Sequence, residues 1–226
     1  MKMVTLLSVN IGQPARLVYE GKEVITAIQK YPVQHDLQLT KLNLEGDAQA
    51  NRLRHGGPNK VLSMHSAEHY RYFSKVLNQE LNYGDFGENM TVDGLTESNV
   101  CVGDIFAWGE AVIQVSQPRP PCHKLAKRFA SPQLPLWFQE SGFTGFYLRV
   151  LREGVVSVEQ PLALMERDHA GITLETVNRV LYHDRMNMEL ISSILAVEAL
   201  SASCRITLEE RQRGIDNDTE RRWIGG

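Results

Sequence analysis

Two kinds of sequence pattern divide this chain of 226 residues, and they limit the folds that it can adopt. Up to about residue 165, short apolar runs alternate with turn residues, which is typical of β-strands joined by tight turns. From about Asp168 onward, apolar residues recur at helical spacing. We therefore predict a mainly β fold: a β-barrel of antiparallel or mixed strands with a few interspersed helices (residues 1–165), then a small C-terminal α-helical domain (residues 166–226).

The strand patterns are short and are bounded by glycine or polar turn residues. We predict strands at residues 3–9, 15–19, 23–28, 37–44, 61–64, 89–92, 100–107 and 111–116. Two further segments, 147–151 and 155–158, flank Arg152, Glu153 and Gly154, and we predict that they form a final hairpin.

The helical segments share capping residues and apolar stripes. Ser66 and Thr173 suit the start of a helix, and Gly142 suits the end of one. Such stripes are typical of core packing, so we expect the tail to pack on the barrel or to form a homodimer. We place helices at residues 67–77, between 131 and 142, from 173 onward, at 190–199 and at 206–213.

Composition excludes several broad classes of protein. Hydrophobic residues make up 42% and charged residues 23%, so neither disorder nor a membrane class is indicated. The net charge of −3 gives no electrostatic reason to expect a nucleic-acid polymer as partner. No apolar run approaches the roughly 18 residues that span a bilayer, and no secretory signal pattern opens the chain. We expect a cytoplasmic protein without a membrane partner.

The three cysteines are odd in number and widely spaced, which disfavours a disulfide framework or a CxxC metal site. Cys101 and Cys204 lie among apolar or small residues, and we predict that they pack in the core. Cys122 differs from both in its surroundings.

Cys122 lies in SQPRPPCHKL at residues 116–125. Two prolines stiffen the backbone directly before the thiol, and Arg119, His123 and Lys124 add cationic side chains. Cationic neighbours favour the thiolate form of a cysteine, which attacks electrophiles or binds soft metals. The structural alternative is a small buried hydrophobe after a turn. The residues alone leave a nucleophile and a metal ligand equally open.

A glycine-containing loop is a second candidate for a site. Residues 44–57 read LEGDAQANRLRHGG, and Lys60 follows at the entry to a strand. The pair Gly56 and Gly57 permits backbone conformations that expose amide N–H groups to an anion such as phosphate. Neither Walker nor dinucleotide-binding spacing is present. An ordinary tight turn, with His55 as a structural histidine, is the alternative.

Three longer segments carry a resemblance to a known family: LEGDAQANRLRHGGPNK at residues 44–60, VLSMHSAEHY at 61–70, and FGENMTVDGLTESNVCVGDIFAWGEAVIQVSQPRPPCHKL at 86–125. They resemble the MOSC domain, which is related to the C-terminal domain of molybdenum cofactor sulfurases and to the mitochondrial amidoxime-reducing component. Within that family the chain is most similar to the bacterial YiiM type, which ends in a three-helix domain. The resemblance covers most of the chain and implies a MOSC-type β-barrel.

The resemblance implies an enzyme that uses the molybdenum cofactor (molybdopterin), with the thiolate of Cys122 as a soft ligand to the metal. The phosphate of the pterin requires cations and amide donors. The candidates for that role are Gly56, Gly57, Lys60, Arg119 and Lys124.

Other candidate site residues lie in segments that resemble the family's pocket. Asn89 offers both a donor and an acceptor, and Ser66 and His65 lie close together in the sequence. We predict His55 or His65 as the proton donor, because histidine titrates near neutral pH.

The reaction that the resemblance implies is reduction of N-hydroxylated compounds, such as hydroxylaminopurine base analogues, to the amine or amidine, which detoxifies them. The sequence carries no haem, flavin or iron–sulfur motif, so we expect electrons from a separate reductase protein. Two other functions stay open. One is sulfur transfer by a persulfide on Cys122, and the other is a non-catalytic module that binds the pterin or a small metabolite.

Overall fold

The computed structural model describes residues 4–50 and 56–215. The strands of this part are β1 (Thr5–Ile11), β2 (Ala15–Tyr19), β3 (Lys22–Thr26), β4 (Tyr31–Val33), β5 (Leu37–Leu39), β6 (Leu62–Ser66), β7 (Met90–Asp93), β8 (Ile105–Trp108), β9 (Ala111–Pro118), β10 (Phe146–Arg152), β11 (Gly154–Val156) and β12 (Leu162–Glu166). The helices are α1 (Ala67–Leu77), α2 (His123–Arg128), α3 (Leu134–Ser141), α4 (Leu174–Tyr182), α5 (Met188–Leu195) and α6 (Ala202–Gln212). Across these described residues, none of the helices is both long enough and apolar enough to cross a membrane.

Eight strands form one sheet in the order β12–β8–β9–β10–β6–β7–β1–β4. Neighbours in this order are antiparallel except β6 and β7, which run parallel because α1 lies in the crossover between them. The sheet curls into a half-barrel, and the strand pairs β2–β3 and β5–β11 form two smaller sheets. The predicted mainly β fold with C-terminal helices is confirmed.

The buried apolar residues form two clusters, and the central strands of the sheet are deeply buried. Every residue of β6 is buried, and β9 alternates between buried and half-buried positions before it becomes fully buried at its end. Trp108 of β8 is fully buried, and its indole N–H donates to the carbonyl oxygen of Ser157 at 3.0 Å. Its one polar atom is therefore satisfied inside the core.

The C-terminal helices share this core with the sheet. Each helix is preceded by a capping residue whose side chain accepts a hydrogen bond from a backbone N–H of the first turn. The capping residues are Thr173, Asn187 and Ser201. The helices therefore pack on the barrel, which was one of the two outcomes expected for the tail. Apolar residues that join the sheet's cluster are Leu174, Val177, Val180, Ile191, Ile194, Cys204 and Leu208.

Two helix predictions within the β region hold in their bounds. The helix over residues 67–77 is α1, and Gly142 ends α3 with φ 72°. Ser66 lies at the N-cap of α1, but its hydroxyl makes no capping hydrogen bond. The sequence patterns missed α2, because six residues are too few to show a helical period.

The predicted final hairpin of residues 147–151 and 155–158 is wrong. β10 pairs with β9 and β6, whereas β11 pairs with β5. The reason lies at the β8–β9 turn, where Glu110 forms hydrogen bonds with Val155 of β11. The backbone N–H of Glu110 donates to the carbonyl oxygen of Val155, and the backbone N–H of Val155 donates to the Glu110 carboxylate.

A buried acid and a buried histidine lie where the sheet meets α4. Glu97 accepts a hydrogen bond from the backbone N–H of Gly145 at 2.6 Å, and its own carbonyl accepts one from the N–H of Glu175 at 2.8 Å. Its second carboxyl oxygen lies 3.5 Å from Nε2 of His69. Burial raises the pKa of Glu97 to about 7 and lowers the pKa of His69 to about 4. His69 is therefore neutral at pH 7.

Replacement of Glu97 by glutamine should change how stability depends on pH. The pKa of Glu97 rises from its ordinary 4.5 to about 7 on folding, so an unfolded chain releases this proton first as the pH increases. Between pH 4.5 and pH 7 the free energy of unfolding of the wild type should fall by up to ~3 kcal/mol relative to that of Glu97→Gln, which cannot ionise at this position. Urea unfolding at pH 5 and pH 8 measures the difference.

Glu159→Gln is the matched control, because Glu159 is exposed in the loop between β11 and β12 and is not among the groups that shift the pKa of Glu97. It should leave the pH dependence of the wild type intact. Equal pH dependence in the Glu97→Gln variant and the wild type would contradict the assigned pKa.

Candidate functional site

An open cleft lies beside Cys122 and contains about 540 Å³ of space, including solvent at its mouth. Its wall combines the segment after β3, the loop at residues 47–50, and residues of β6 and β10 with the segment that carries the thiol. Among the described lining residues the basic side chains outnumber the acidic ones, so we call it the cationic cleft. The charged lining residues are Lys30, Asp47, Lys60, Arg119 and Lys124.

The thiol of Cys122 is placed by a tightly held segment between β9 and α2. Cys122 is half-buried at the N-cap of α2, where its backbone is extended (φ −138°, ψ 161°). The backbone N–H of Arg119 donates to the carbonyl oxygen of Gly145 at 2.9 Å. The guanidinium of Arg119 donates to the carbonyl oxygen of Phe86 at 2.9 Å. The two bonds, with the prolines that follow, restrict the position of the thiol.

The other cysteines lie elsewhere. Cys101 and Cys204 are buried, at 2% and 5% exposure, and both belong to the core, as predicted. Cys122 is thus the half-buried member of the three and the one that lines the cleft.

A buried ion pair between Lys30 and Asp47 forms one wall of the cleft. Asp47 also accepts hydrogen bonds from the N–H of Gly12 and from Nδ2 of Asn89, each at 2.9 Å. Burial lowers the pKa of Lys30, and the charge of Asp47 opposes that shift. Because the single carboxylate of the wall is already neutralised, the remaining cations give the cleft its positive charge.

Two further lysines complete the cationic lining. Lys60 lies over the ring of Tyr147, with Nζ 5.8 Å from the ring centroid. Lys124 lies in the first turn of α2 beside the thiol, and burial lowers its pKa while Cys122 opposes the shift. These side chains approach the cleft from different elements, so an anion bound there meets cations from more than one direction.

Asn89 lines the cleft through a fully used amide group. Its Oδ1 accepts from both the N–H and the hydroxyl of Ser63, each at 3.1 Å, and its Nδ2 donates to Asp47. Both ends of the amide therefore hold the wall together. The structure places Asn89 at the site, where it fixes the ion pair and β6 relative to each other.

His65 does not lie at the cleft. It is fully buried on β6, and the rings of Tyr70, Phe73, Phe86 and Phe138 surround it at centroid distances between 4.9 and 6.2 Å. Within the described part of the chain neither of its ring nitrogens has a hydrogen-bond partner. Burial holds its pKa well below the ordinary value, so His65 is neutral at pH 7, and it does not line the cleft.

The other predicted site residues are divided. Lys60, Asn89, Arg119, Cys122 and Lys124 come together at the cleft, as their sequence contexts indicated. Ser66 is buried at the start of α1 and does not line it.

The glycine loop contributes less than its sequence indicated. Gly56 and Gly57 lie outside the described lining of the cleft, although Gly57 adopts φ 94° and its carbonyl accepts the N–H of Lys60 at 2.9 Å. The turn therefore orients Lys60 instead of lining the cleft with its own amides. His55, the other predicted proton donor, lies outside the described residues.

A smaller recess also borders Cys122, with about 280 Å³ of space including solvent. We call it the apolar recess, because half of its lining residues are Pro120, Pro121, Leu125 and Phe138. Arg119, Cys122 and Tyr147 border both spaces, and Thr144 adds a polar residue to the recess. Cys122 thus borders both the cationic cleft and the apolar recess.

The described residues hold no group of three or more His, Cys, Asp or Glu side chains that could ligate a metal by itself. A metal bound at Cys122 would therefore need further donor atoms from its own ligand. The arrangement suits an anionic molecule that brings sulfur or other donors to a single protein thiolate.

Sequence reasoning missed Lys30, Asp47, Ser63 and Tyr147 as members of the site. Asp47 did lie in the loop that was singled out for its glycines. Lys30 follows a strand without any motif, and only the tertiary fold brings it to Asp47.

The chain is similar in sequence to two known domain families and to several known proteins. Residues 51–163 match the family described as MOSC domain, and residues 172–211 match the one described as YiiM-like, 3-alpha helix domain. The uncharacterized protein YflK of Bacillus subtilis (strain 168) is 46% identical over 208 residues, which are 92% of this chain and 94% of YflK. Protein YiiM of Escherichia coli (strain K12) is 38% identical over 209 residues, which are 90% of this chain and 92% of that protein.

The crystal structure of YiiM from Escherichia coli superposes with a TM-score of 0.79 at 36% identity, covering 94% of this chain and all (100%) of that one. A protein named Reductase from Gibberella moniliformis (strain M3125 / FGSC 7600) is 30% identical over 178 residues, 76% of this chain and 31% of that protein. MOSC domains are associated as a family with binding of the molybdenum cofactor. The chain belongs to the MOSC domain family, in the YiiM-like group that carries the 3-alpha helix domain.

Proposed function

We propose that this protein is a molybdenum-cofactor oxidoreductase that reduces N-hydroxylated compounds, such as hydroxylaminopurine base analogues, to the amine. The observation that supports this most is the half-buried thiol of Cys122 on the border of a cleft with a positive lining. Membership of the MOSC family, and the similarity to a fungal protein named Reductase, agree with redox chemistry.

The residues fit the cofactor in two respects. A thiolate is the soft ligand type, and the cofactor's own dithiolene sulfurs would supply the donors that the described side chains lack. The pterin phosphate is anionic, and Lys60, Arg119 and Lys124 line the cleft as its counter-charges. When bound, the cofactor would supply the two electrons that remove the N-hydroxyl oxygen as water.

The protein's own residues would bind and orient. Lys30, Asp47 and Asn89 form a hydrogen-bonded wall that keeps the cleft open at a fixed width. His55 stays a predicted proton donor, whereas the burial of His65 gives no support for that role.

Replacement of Cys122 by serine tests the metal ligand. Protein from a cofactor-competent host should contain molybdenum and pterin in near-equal amount to the chain, and Cys122→Ser should keep less than about a tenth of the metal, because a hydroxyl is a poor soft ligand. Dye-driven reduction of a hydroxylaminopurine should fall in parallel. Elemental analysis and pterin mass spectrometry measure the content.

Cys204→Ala is the control, since that thiol is buried in the core and does not line the cleft. It should keep both metal and turnover. Metal-free wild type with a labile sulfur on Cys122 would instead support sulfur transfer, and cofactor-loaded wild type without turnover would support a binding module.

A substitution of Lys60 tests the phosphate site. Lys60→Gln should weaken retention of the pterin roughly tenfold, because a hydrogen bond to a charged group contributes about 1.5–3 kcal/mol. The difference between the variant and the wild type should decrease with salt concentration, because salt screens the attraction between Lys60 and the phosphate. Lys75→Gln on the exposed side of α1 should leave retention unchanged, and equal losses in the two variants would contradict a phosphate contact.

A separate electron-donating reductase protein is part of the proposal. The purified chain loaded with cofactor should reduce substrate with a reduced dye but not with NADPH alone, because no bound redox group accepts hydride. Addition of a partner reductase should restore NADPH-dependent turnover. Rapid NADPH oxidation by the chain by itself would remove the need for a partner.

A further inference from the structure

One face of α4 contacts the loop between α3 and β10, which we call the α3–β10 loop (residues 142–145). Asn178 of α4 is buried, at 2% exposure, and its Nδ2 donates to the carbonyl oxygen of Gly142 and to Oγ1 of Thr144, both at 2.9 Å. One turn later, Nε2 of His183 lies 3.0 Å from the carbonyl oxygen of Gln139. The C-terminal helices thus hold the loop by its backbone as well as by packing.

Hydrogen bonds continue from this loop to the segment that carries the thiol. Thr144 Oγ1 donates to the carbonyl oxygen of Gly145 at 2.9 Å, and the same oxygen accepts the backbone N–H of Arg119 at 2.9 Å. Pro120 and Pro121 lie between Arg119 and Cys122. Because proline restricts backbone rotation, a displacement of Arg119 should also displace the thiol. Thr144 also borders the apolar recess, next to Cys122.

The α3–β10 loop has little room to rearrange. Gly145 adopts φ 68°, and a Cβ there would lie 2.5 Å from the carbonyl oxygen of Met64. Its N–H donates to Glu97. The ring of Phe143 stacks on His69 with centroids 4.0 Å apart, and Asn178 donates to the residues on either side of it, Gly142 and Thr144.

We propose that Asn178 is a positioning residue for the Cys122 thiol, acting from the C-terminal helices through Thr144, Gly145 and Arg119. It touches neither the cationic cleft nor the apolar recess among their described lining residues. Its amide holds the hydroxyl of Thr144, which shares the Gly145 carbonyl with the backbone N–H of Arg119. The YiiM-like helical domain thereby serves the site as well as the core.

The test is the rate at which iodoacetamide alkylates Cys122 in the full-length chain without cofactor, followed by peptide mass spectrometry. Asn178→Leu keeps the approximate size of the side chain and removes both donors. The rate at Cys122 should rise roughly fivefold, the factor that corresponds to the net contribution of about one hydrogen bond. Alkylation of the buried Cys101 and Cys204 reports global unfolding and should stay slow.

Thr173→Ala is the matched control. It removes the N-cap of the same helix, at a stability cost comparable to that of a lost hydrogen bond, without touching the α3–β10 loop. Its Cys122 should react at the wild-type rate. A second variant, Thr144→Val, interrupts the same hydrogen bonds at the loop itself and should reproduce the increase seen with Asn178→Leu.

Each result decides the matter. An unchanged rate in Asn178→Leu, or an equal increase in Thr173→Ala, would overturn the positioning role. If Asn178→Leu does not fold, as rapid alkylation at all three cysteines would show, Thr144→Val decides in its place. Because the readout is a thiol reaction of cofactor-free protein, its outcome is separate from whether the chain proves to be a reductase.

Discussion

The pairing of β9 with β10 is the constraint on which the site depends. Their register ends with Phe146 opposite Pro118, and the backbone bond from Arg119 to Gly145 continues the ladder by one step. Beyond that point one strand leads into the thiol segment and the other comes from the α3–β10 loop. The cationic cleft and the apolar recess both begin at this divergence, since Arg119, Cys122 and Tyr147 border both.

The charged residues of the cleft have two different roles, one in its shape and one in its positive charge. A buried ion pair such as Lys30 with Asp47 contributes little net stability, because desolvation of the two charges offsets their attraction. Removal of one partner is costly, however, since it leaves an isolated buried charge. The pair therefore fixes the shape of the wall, while Lys60, Arg119 and Lys124 supply the attraction for an anion.

Local patterns in the sequence predict the class of fold and much of the site. The Thr173 cap, the helix over residues 67–77 and the proline segment before Cys122 are local features that the structure shares with the prediction. The strand predicted at residues 37–44, by contrast, is only Leu37–Leu39, and Ser66 makes no capping bond. The other failures concern long-range partners. The pairing of β11 with β5 and the ion pair of Lys30 with Asp47 both join distant segments, and no local pattern encodes such partners. His65 lies two residues after Ser63, which lines the cleft, yet aromatic rings from distant segments surround His65 and separate it from the site.

The sheet needs the C-terminal helices to complete its apolar core. Along α4, Leu174, Val177 and Val180 join the core of the sheet, and Asn178 between them turns to the α3–β10 loop. Without the helix, that apolar face of the sheet would be exposed to water, and the carbonyl of Gly142 would lose its donor. One helix therefore closes the core and satisfies the backbone next to the thiol. A substitution that removes the Asn178 amide therefore reaches the site on our proposal, even though Asn178 lies far from Cys122 in the sequence.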